Sequence, residues 1–222
     1  MSGKAEFIPF QSSNFSKEET EKRSLSFYHE MNRRRSLRMF SEEPIPKKVL
    51  ENIILTAGTA PSGAHKQPWT FCLIGNPELK SEIRKAAEQE EYESYHGRMS
   101  EEWLRDLEKF DTNWHKPFIE IAPWIIVVFK RIYDLEDGEK KNNYYVNESV
   151  GIACGMLITA IHQAGLVTLT HTPSPMNFLS KILNRPSNER PFLLLPVGYA
   201  ATNAEVPKLS RKSLNEICIS YD

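Results

Sequence analysis

The chain has 222 residues, of which 40% are hydrophobic and 26% are charged, and its formal net charge is −1. We interpret this as a globular protein with one domain over residues 1–222. The near-neutral charge, with a single basic run, disfavours nucleic acid as a partner. No window approaches the roughly 20 apolar residues of a membrane span, and the N-terminus lacks an apolar signal core, so we expect a cytoplasmic protein with no membrane partner.

Helical and strand patterns alternate along the chain after an N-terminal arm, expected to be extended over residues 1–15. The predicted helices cover residues 17–32, 47–57, 77–95, 100–110 and 145–164, and the predicted strands cover 70–74, 125–130, 167–170 and 192–197. Ser16 with Glu19 is the expected cap of the first helix, and Gly165 is the expected end of the last. A tail follows over residues 200–222. The pattern predicts an α+β fold.

The helix predicted over residues 145–164 carries small residues at intervals that allow close helix approach. They are Ser149, Gly151, Ala153, Gly155 and Ala160. The pattern alone leaves open two interpretations, which are ordinary core packing and a contact between two copies of the chain.

Cysteine and histidine usage predicts no metal site. Cys72, Cys154 and Cys218 each stand alone in an apolar run, which favours reduced thiols over disulfides or zinc ligands. The six histidines show no spacing typical of metal ligands.

Residues 59–71 form a turn-rich segment between a predicted helix and a predicted strand. Pro61 and Pro68 restrict the backbone at its ends, and Gly63 and Ala64 are small enough to let main-chain N–H groups approach a flat ligand. This composition indicates a cofactor loop, with a plain turn as the alternative.

The basic run at residues 33–38 follows the first predicted helix. Arginine guanidinium groups are permanently charged forks suited to phosphate oxygens, and Ser36 adds a hydroxyl donor. A solvated basic helix end is the alternative. With no second basic run, one phosphate group fits better than a polyanion.

Three segments together resemble the FMN-dependent nitroreductase superfamily, essentially from end to end. They are the run Arg34-Arg35-Ser36-x-Arg38, the loop at residues 60–69, and the motif at residues 195–199. The resemblance implies a mixed, mostly antiparallel central sheet flanked by helices. It also implies an intertwined homodimer in which both chains build each FMN site.

The resemblance assigns cofactor roles to individual residues. It places Arg34, Arg35, Ser36 and Arg211 at the FMN phosphate, Arg38 at the pyrimidine edge, Pro61, Ser62 and Gly63 along the ring, and Thr172 at flavin N5. A hydroxyl donated to N5 favours single-electron transfer, whereas a threonine bonded to nearby backbone is the alternative. His65 and His171 flank these loops, and we expect both to be hydrogen-bonded structural histidines.

Within the superfamily, residues 90–95 and 113–116 resemble the iodotyrosine deiodinases of the soluble bacterial type. The resemblance makes residues 77–116 a substrate lid, in which Glu91, Tyr95 and Lys116 hold the amino-acid end of the substrate. Glu91 and Tyr95 are four residues apart and share a helix face. A buried zwitterion needs an anion for its ammonium group and a cation for its carboxylate. Ordinary surface charges are the alternative.

These features predict an enzyme that removes halogen from halogenated tyrosines with FMN as cofactor. The Ala64 backbone N–H would bind the substrate phenolate, and an external reductant, NAD(P)H directly or through a reductase, would supply electrons. Two alternatives remain at this stage. One is a broad NAD(P)H-dependent nitroreductase or quinone reductase, and the other is a non-catalytic protein that binds flavin or an aromatic amino acid.

Overall fold

A computed structural model describes residues 5–222, so residues 1–4 of the predicted arm lie outside the described part. The chain separates into two units, Met1–Arg34 and Arg35–Asp222. In the first unit, helix α1 spans Lys17–Arg33, and the Ser16 side chain accepts a hydrogen bond from the Glu19 N–H, which confirms the predicted cap. The single-domain organisation over residues 1–222 stays a prediction.

The second unit contains a four-stranded sheet covered by helices. The strands of this unit are β1 (Trp69–Ile74), β2 (Trp124–Arg131), β3 (Tyr133–Glu136), β4 (Glu139–Asn142), β5 (Val167–Thr168) and β6 (Glu189–Gly198). Strands β3 and β4 form a separate hairpin. The helices of this unit are α2 (Lys47–Gly58), α3 (Pro77–Glu93), α4 (Glu101–Glu108), α5 (Phe118–Ile121), α6 (Val146–Gln163), α7 (Asn177–Ile182) and α8 (Leu214–Ile217).

The main sheet has the order β1-β2-β6-β5, and each neighbouring pair of strands is antiparallel. An isolated parallel bridge joins Ser36 to Thr168 in β5, so the sheet is antiparallel apart from this one contact at its edge. This bridge also places the residues around Ser36 next to the end of β5.

The central strand β2 is buried on both faces. Ile125, Val127 and Phe129 contribute to the core beneath α3, α5 and α7, whereas Ile126 and Val128 contribute to the core beneath α2 and α6. A strand buried on both sides is a continuous apolar run, which explains why its position was clear from the sequence. The two cores fix the helices that carry the site.

Helix α3 and its continuation differ from the predicted helix at residues 77–95. The α-helix ends at Glu93, and Ser94–Arg98 form a wider π-helical turn. Ile83 and Ala87 are fully buried on α3. The first half of the predicted lid is therefore a helix anchored in the core, and the role of residues 77–116 as a lid stays a prediction.

Replacing Ile83 with alanine tests this anchoring. Because Ile83 has no exposed surface and packs in the core, we expect unfolding free energy to fall by about 2–5 kcal/mol in urea titration. Glu82→Ala, at an exposed neighbour on the same helix, is the matched control. A loss below about 1 kcal/mol at Ile83 would show that α3 is not held by the core.

Four further elements escaped prediction, either because they are polar or because they are too short to show a repeating apolar pattern. They are the polar hairpin β3–β4 and the short helices α5, α7 and α8. Gly165 ends α6 as predicted, with a φ of +74° that suits glycine. Across residues 5–222, no helix combines the length and apolarity that crossing a bilayer requires.

Candidate active site

The structure brings Glu91, Tyr95 and Lys116 together, and we call this group the clamp. Lys116 Nζ lies 3.5 Å from Glu91 Oε2, and the side chains are 5% and 11% exposed respectively. The same Nζ lies 5.5 Å from the centre of the Tyr95 ring. Helix α3 carries Glu91, the following π-helical turn carries Tyr95, and the segment before α5 carries Lys116. These are not ordinary surface charges.

Hydrogen bonds fasten the segment that carries Lys116. Its Nζ donates to Thr112 Oγ1 at 3.4 Å and also to the Asn113 carbonyl. The Tyr95 hydroxyl donates to the Thr112 carbonyl at 3.3 Å, and the Lys116 backbone N–H donates to Glu88 Oε1 at 2.7 Å. The clamp is therefore assembled by contacts between residues 111–116 and the end of α3.

Burial works against both charges of the clamp. Desolvation raises the pKa of the Glu91 carboxyl, while nearby Lys116 lowers it. Desolvation likewise lowers the pKa of Lys116, while Glu91 raises it. Each ion depends on the other, so a ligand that offers an ammonium group and a carboxylate could replace both partners at once.

Arg38 lies beside the clamp in a cavity of about 350 Å³ that Ser36, Phe110 and Pro207 also line. Its guanidinium carbon is 5.8 Å from the centre of the Phe110 ring. Burial lowers the pKa of Arg38, and within residues 5–222 no carboxylate forms an ion pair with it. A half-buried cation without an acidic partner fits an anionic group of a ligand.

The loop at residues 62–67 contains a backbone N–H, that of Ala64, with no acceptor among the described residues. Ser62 Oγ accepts from the Gln67 N–H at 2.9 Å, and the Gly63 N–H donates to Ser149 Oγ on α6 at 3.2 Å. Ala64 is left-handed with a φ of 49°. In the described part of the chain its N–H meets no acceptor and can serve a ligand. A Cβ on Gly63 would lie 2.8 Å from the Tyr144 carbonyl oxygen, so the loop requires glycine there.

His171 and Thr172 follow β5 at the edge of the sheet. His171 Nδ1 lies 3.8 Å from Glu91 Oε1, which connects this edge to the clamp. Burial, with Lys116 and Arg38 nearby, lowers the pKa of His171 to about 3. Thr172 is exposed, and among the described residues its hydroxyl has no hydrogen-bond partner. The backbone-bonded alternative for Thr172 is therefore not observed.

The arginines assigned to the FMN phosphate lie in separate parts of the chain. Arg34 belongs to the first unit, where its backbone N–H donates to the Met31 carbonyl at 3.2 Å. The Arg35 guanidinium donates to the Pro207 carbonyl. Arg211 is exposed in the C-terminal segment, and Pro61 is exposed at the start of the loop. Their roles toward a cofactor stay predictions.

Sequence reasoning missed two parts of the site. Thr112 and Asn113 contact the clamp largely through their backbone carbonyls. Every residue has a backbone carbonyl, so the residue type gives no signal for this role. His171 was expected to be a hydrogen-bonded structural histidine, but its Nε2 is buried without a partner among residues 5–222. His65 meets that expectation, since its Nε2 lies 3.1 Å from Gln67 Nε2. The described residues contain no cluster of metal ligands.

Comparison with known proteins places this geometry in a family. The nitroreductase family model matches residues 31–199, which is most of the chain. The chain therefore belongs to the nitroreductase family. An iodotyrosine deiodinase of Haliscomenobacter hydrossis is 60% identical over 222 residues, covering all of both chains. An iodotyrosine deiodinase of Hydra vulgaris is 50% identical and covers 99% of this chain and 81% of that protein. Within the family, the chain falls among the iodotyrosine deiodinases.

A solved structure supports the same placement. It is a crystal structure of an oxidised iodotyrosine deiodinase with FMN and 3-iodo-L-tyrosine bound. It matches this chain with a TM-score of 0.75 and 30% identity, over 88% of this chain and 98% of the other. The predicted nitroreductase-like α+β fold is confirmed.

Proposed function

We propose that this protein is an FMN-dependent reductive dehalogenase that converts halogenated tyrosines, such as iodotyrosine, into tyrosine and halide. The observation that carries the proposal is the buried Glu91–Lys116 pair of the clamp, next to the half-buried Arg38. The Glu91–Lys116 pair matches the two charges of an amino acid, and the Arg38 cation suits an anionic edge of a cofactor. The names of the relatives, and the ligands of the matched crystal structure, support both parts.

The residues of this chain fit FMN at the places where a ligand can contact them. Arg38 would hold the pyrimidine edge, Pro61, Ser62 and Gly63 would line the ring, and Arg34, Arg35, Ser36 and Arg211 would hold the phosphate. When bound, FMN accepts electrons from an external reductant and delivers them singly or in pairs. NAD(P)H, directly or through a reductase, is the proposed source.

The clamp would orient the substrate. Glu91 would bind the ammonium group, while Lys116 and the Tyr95 hydroxyl would bind the carboxylate. The Ala64 N–H would bind the phenolate oxygen and align the ring. In the overall reaction, two electrons and one proton enter, the carbon–iodine bond breaks, iodide leaves with the bonding pair, and the ring carbon gains hydrogen. No protein nucleophile takes part.

Thr172→Ala tests the role of the exposed hydroxyl. Loss of a hydrogen bond to a developing charge costs about 1.5–3 kcal/mol, so we expect the rate of iodide release to fall by roughly 10-fold to 100-fold. Two-electron reduction of a nitroaromatic should fall much less. Thr172→Ser keeps the hydroxyl and should restore most of the rate. Equal losses in both reactions would remove Thr172 from the single-electron steps.

One experiment separates the proposed function from its alternatives. FMN-loaded protein is reduced with dithionite and incubated with 3-iodotyrosine, and tyrosine and iodide are quantified. Release of both supports the dehalogenase. Tight binding of iodotyrosine without iodide release would indicate a binding protein instead. Turnover of nitroaromatics with NADH, without affinity for iodotyrosine, would indicate a general nitroreductase.

Four further features belong to the same proposal. Residues 77–116 would cover the substrate, with the movable part after Glu93. Two copies of the chain would form an intertwined homodimer with the flavin between them. Residues 200–222 would form the tail of one domain. The protein would act in the cytoplasm, which suits its three free cysteines, Cys72, Cys154 and Cys218.

A further inference from the structure

The His171 ring is held in place from two sides. Its backbone N–H donates to the Leu194 carbonyl at 2.9 Å, and its carbonyl accepts from the Leu194 N–H at 3.0 Å. The ring meets the Phe118 ring edge-on, with centroids 5.6 Å apart. Its side chain is 8% exposed. The backbone position of His171 is therefore fixed by the sheet, and its ring lies against the core.

The surroundings select the tautomer of this ring. His171 is neutral, because burial and the cations Lys116 and Arg38 depress its pKa, so the ring carries one N–H. A proton on Nε2 would bury a donor that has no partner among residues 5–222, and would turn the Nδ1 lone pair toward Glu91. A proton on Nδ1 instead points a donor at that carboxylate. The Nδ1–H tautomer is favoured.

The two oxygens of Glu91 face different groups. Oε2 lies 3.5 Å from Lys116 Nζ, and Oε1 lies 3.8 Å from His171 Nδ1. The second distance is too long for a hydrogen bond, and a movement of about 1 Å would bring it into range. Tyr95 is the other titratable group that senses the Glu91 charge. His171 is thus poised beside the oxygen that Lys116 does not contact.

We propose that His171 is a positioning residue of the clamp: its Nδ1–H binds Glu91 Oε1 when the substrate carboxylate draws Lys116 away, and so aims Oε2 at the ammonium group. This inference rests on the proposed function. A buried carboxylate that loses one partner needs another donor, because an unsatisfied buried charge is costly. His171 supplies that donor from a fixed position.

Three substitutions at His171 separate the two ring nitrogens. Asparagine places an amide donor near the Nδ1 position, glutamine places one near the Nε2 position, and leucine supplies neither. Binding of 3-iodotyrosine and of 2-iodophenol to the oxidised, FMN-loaded protein is measured by calorimetry. We expect the preference for iodotyrosine over iodophenol to fall about tenfold or more in His171→Leu and His171→Gln, but less than about threefold in His171→Asn. Equal behaviour of the asparagine and glutamine variants, or equal losses for both ligands, would overturn the proposal.

The pH dependence gives a readout that a purely structural role would not move. Losing a donor to the Glu91 carboxylate raises its pKa, so the acid limit of iodotyrosine binding should move to higher pH in His171→Leu and His171→Gln. Lys116, Tyr95 and His171 are the titratable groups that face Glu91. If the acid limit of iodotyrosine binding stayed at the same pH in these variants, the proposed contact between His171 and Glu91 would be contradicted. If His171→Leu does not fold, the asparagine and glutamine pair decides alone.

The wild-type protein keeps the two proposals apart. Binding of iodotyrosine without iodide release would contradict the dehalogenase while leaving the His171 comparison intact. A wild type that binds iodotyrosine no better than iodophenol would overturn the clamp and the role of His171 together.

Discussion

Glu91→Gln is expected to weaken binding of 3-iodotyrosine by roughly 30-fold or more. Glutamine keeps the shape of the side chain but removes the charge that the ammonium group needs, and it leaves Lys116 buried without its anion. Truncating one member of a buried charge pair costs about 2–5 kcal/mol, which sets this lower bound. Affinity for 2-iodophenol, which has no ammonium group, should fall far less. Calorimetry on the oxidised, FMN-loaded protein measures both.

Glu93→Gln is the matched control for this prediction. Glu93 lies on the same helix, is exposed, and pairs with Arg98 rather than with Lys116. Exposed ion pairs contribute about 0–1 kcal/mol, so the control should change iodotyrosine affinity by only a few-fold. If Glu91→Gln weakened both ligands equally, Glu91 would not be the ammonium contact.

The second large effect concerns stability. Lys116→Met should lower the unfolding free energy by about 3–5 kcal/mol at neutral pH, because it strands the buried Glu91 carboxylate. The double variant Glu91→Leu/Lys116→Met removes both charges, and we expect it to be at least as stable as the wild type. It should also lose the preference for iodotyrosine over iodophenol. Urea unfolding at saturating FMN compares the three proteins.

The stability of Lys116→Met should depend on pH in a way that the stability of the double variant does not. Removing Lys116 removes the group that lowers the Glu91 pKa, so burial raises that pKa further in Lys116→Met. When the pKa of a carboxyl is higher in the folded than in the unfolded protein, the free energy of unfolding falls as the pH rises through the folded-state pKa. Lys116→Met should therefore recover stability on acidification, whereas the double variant should show no such recovery. A double variant less stable than the wild type would show that the clamp is a net stabilising pair.

The sequence predicted the parts of this fold that depend on local patterns. The apolar run of β2 and the cap at Ser16 both carry their signal in a few neighbouring residues. The polar hairpin β3–β4 carries no such signal, because most of its residues are exposed and polar. The boundary of α3 at Glu93 was missed because the backbone stays helical into the π-helical turn, and no proline or glycine stands at Ser94 to mark the change.

The site was predictable in its residue types but not in its connections. Glu91 and Lys116 were assigned by resemblance, yet their direct pairing depends on the segment around Thr112 folding onto α3. The link from Glu91 to His171 joins residues 80 positions apart through the edge of the sheet. Charge patterns along a chain cannot show that two distant groups share one buried space.

The most direct test of the central claim is a single turnover under anaerobic conditions. The FMN-loaded protein is reduced, freed of excess reductant, and mixed with one equivalent of 3-iodotyrosine per flavin. The proposed function predicts that the absorbance of oxidised flavin returns as one equivalent of iodide and one of tyrosine appear. Flavin that stays reduced while iodotyrosine remains intact would contradict it.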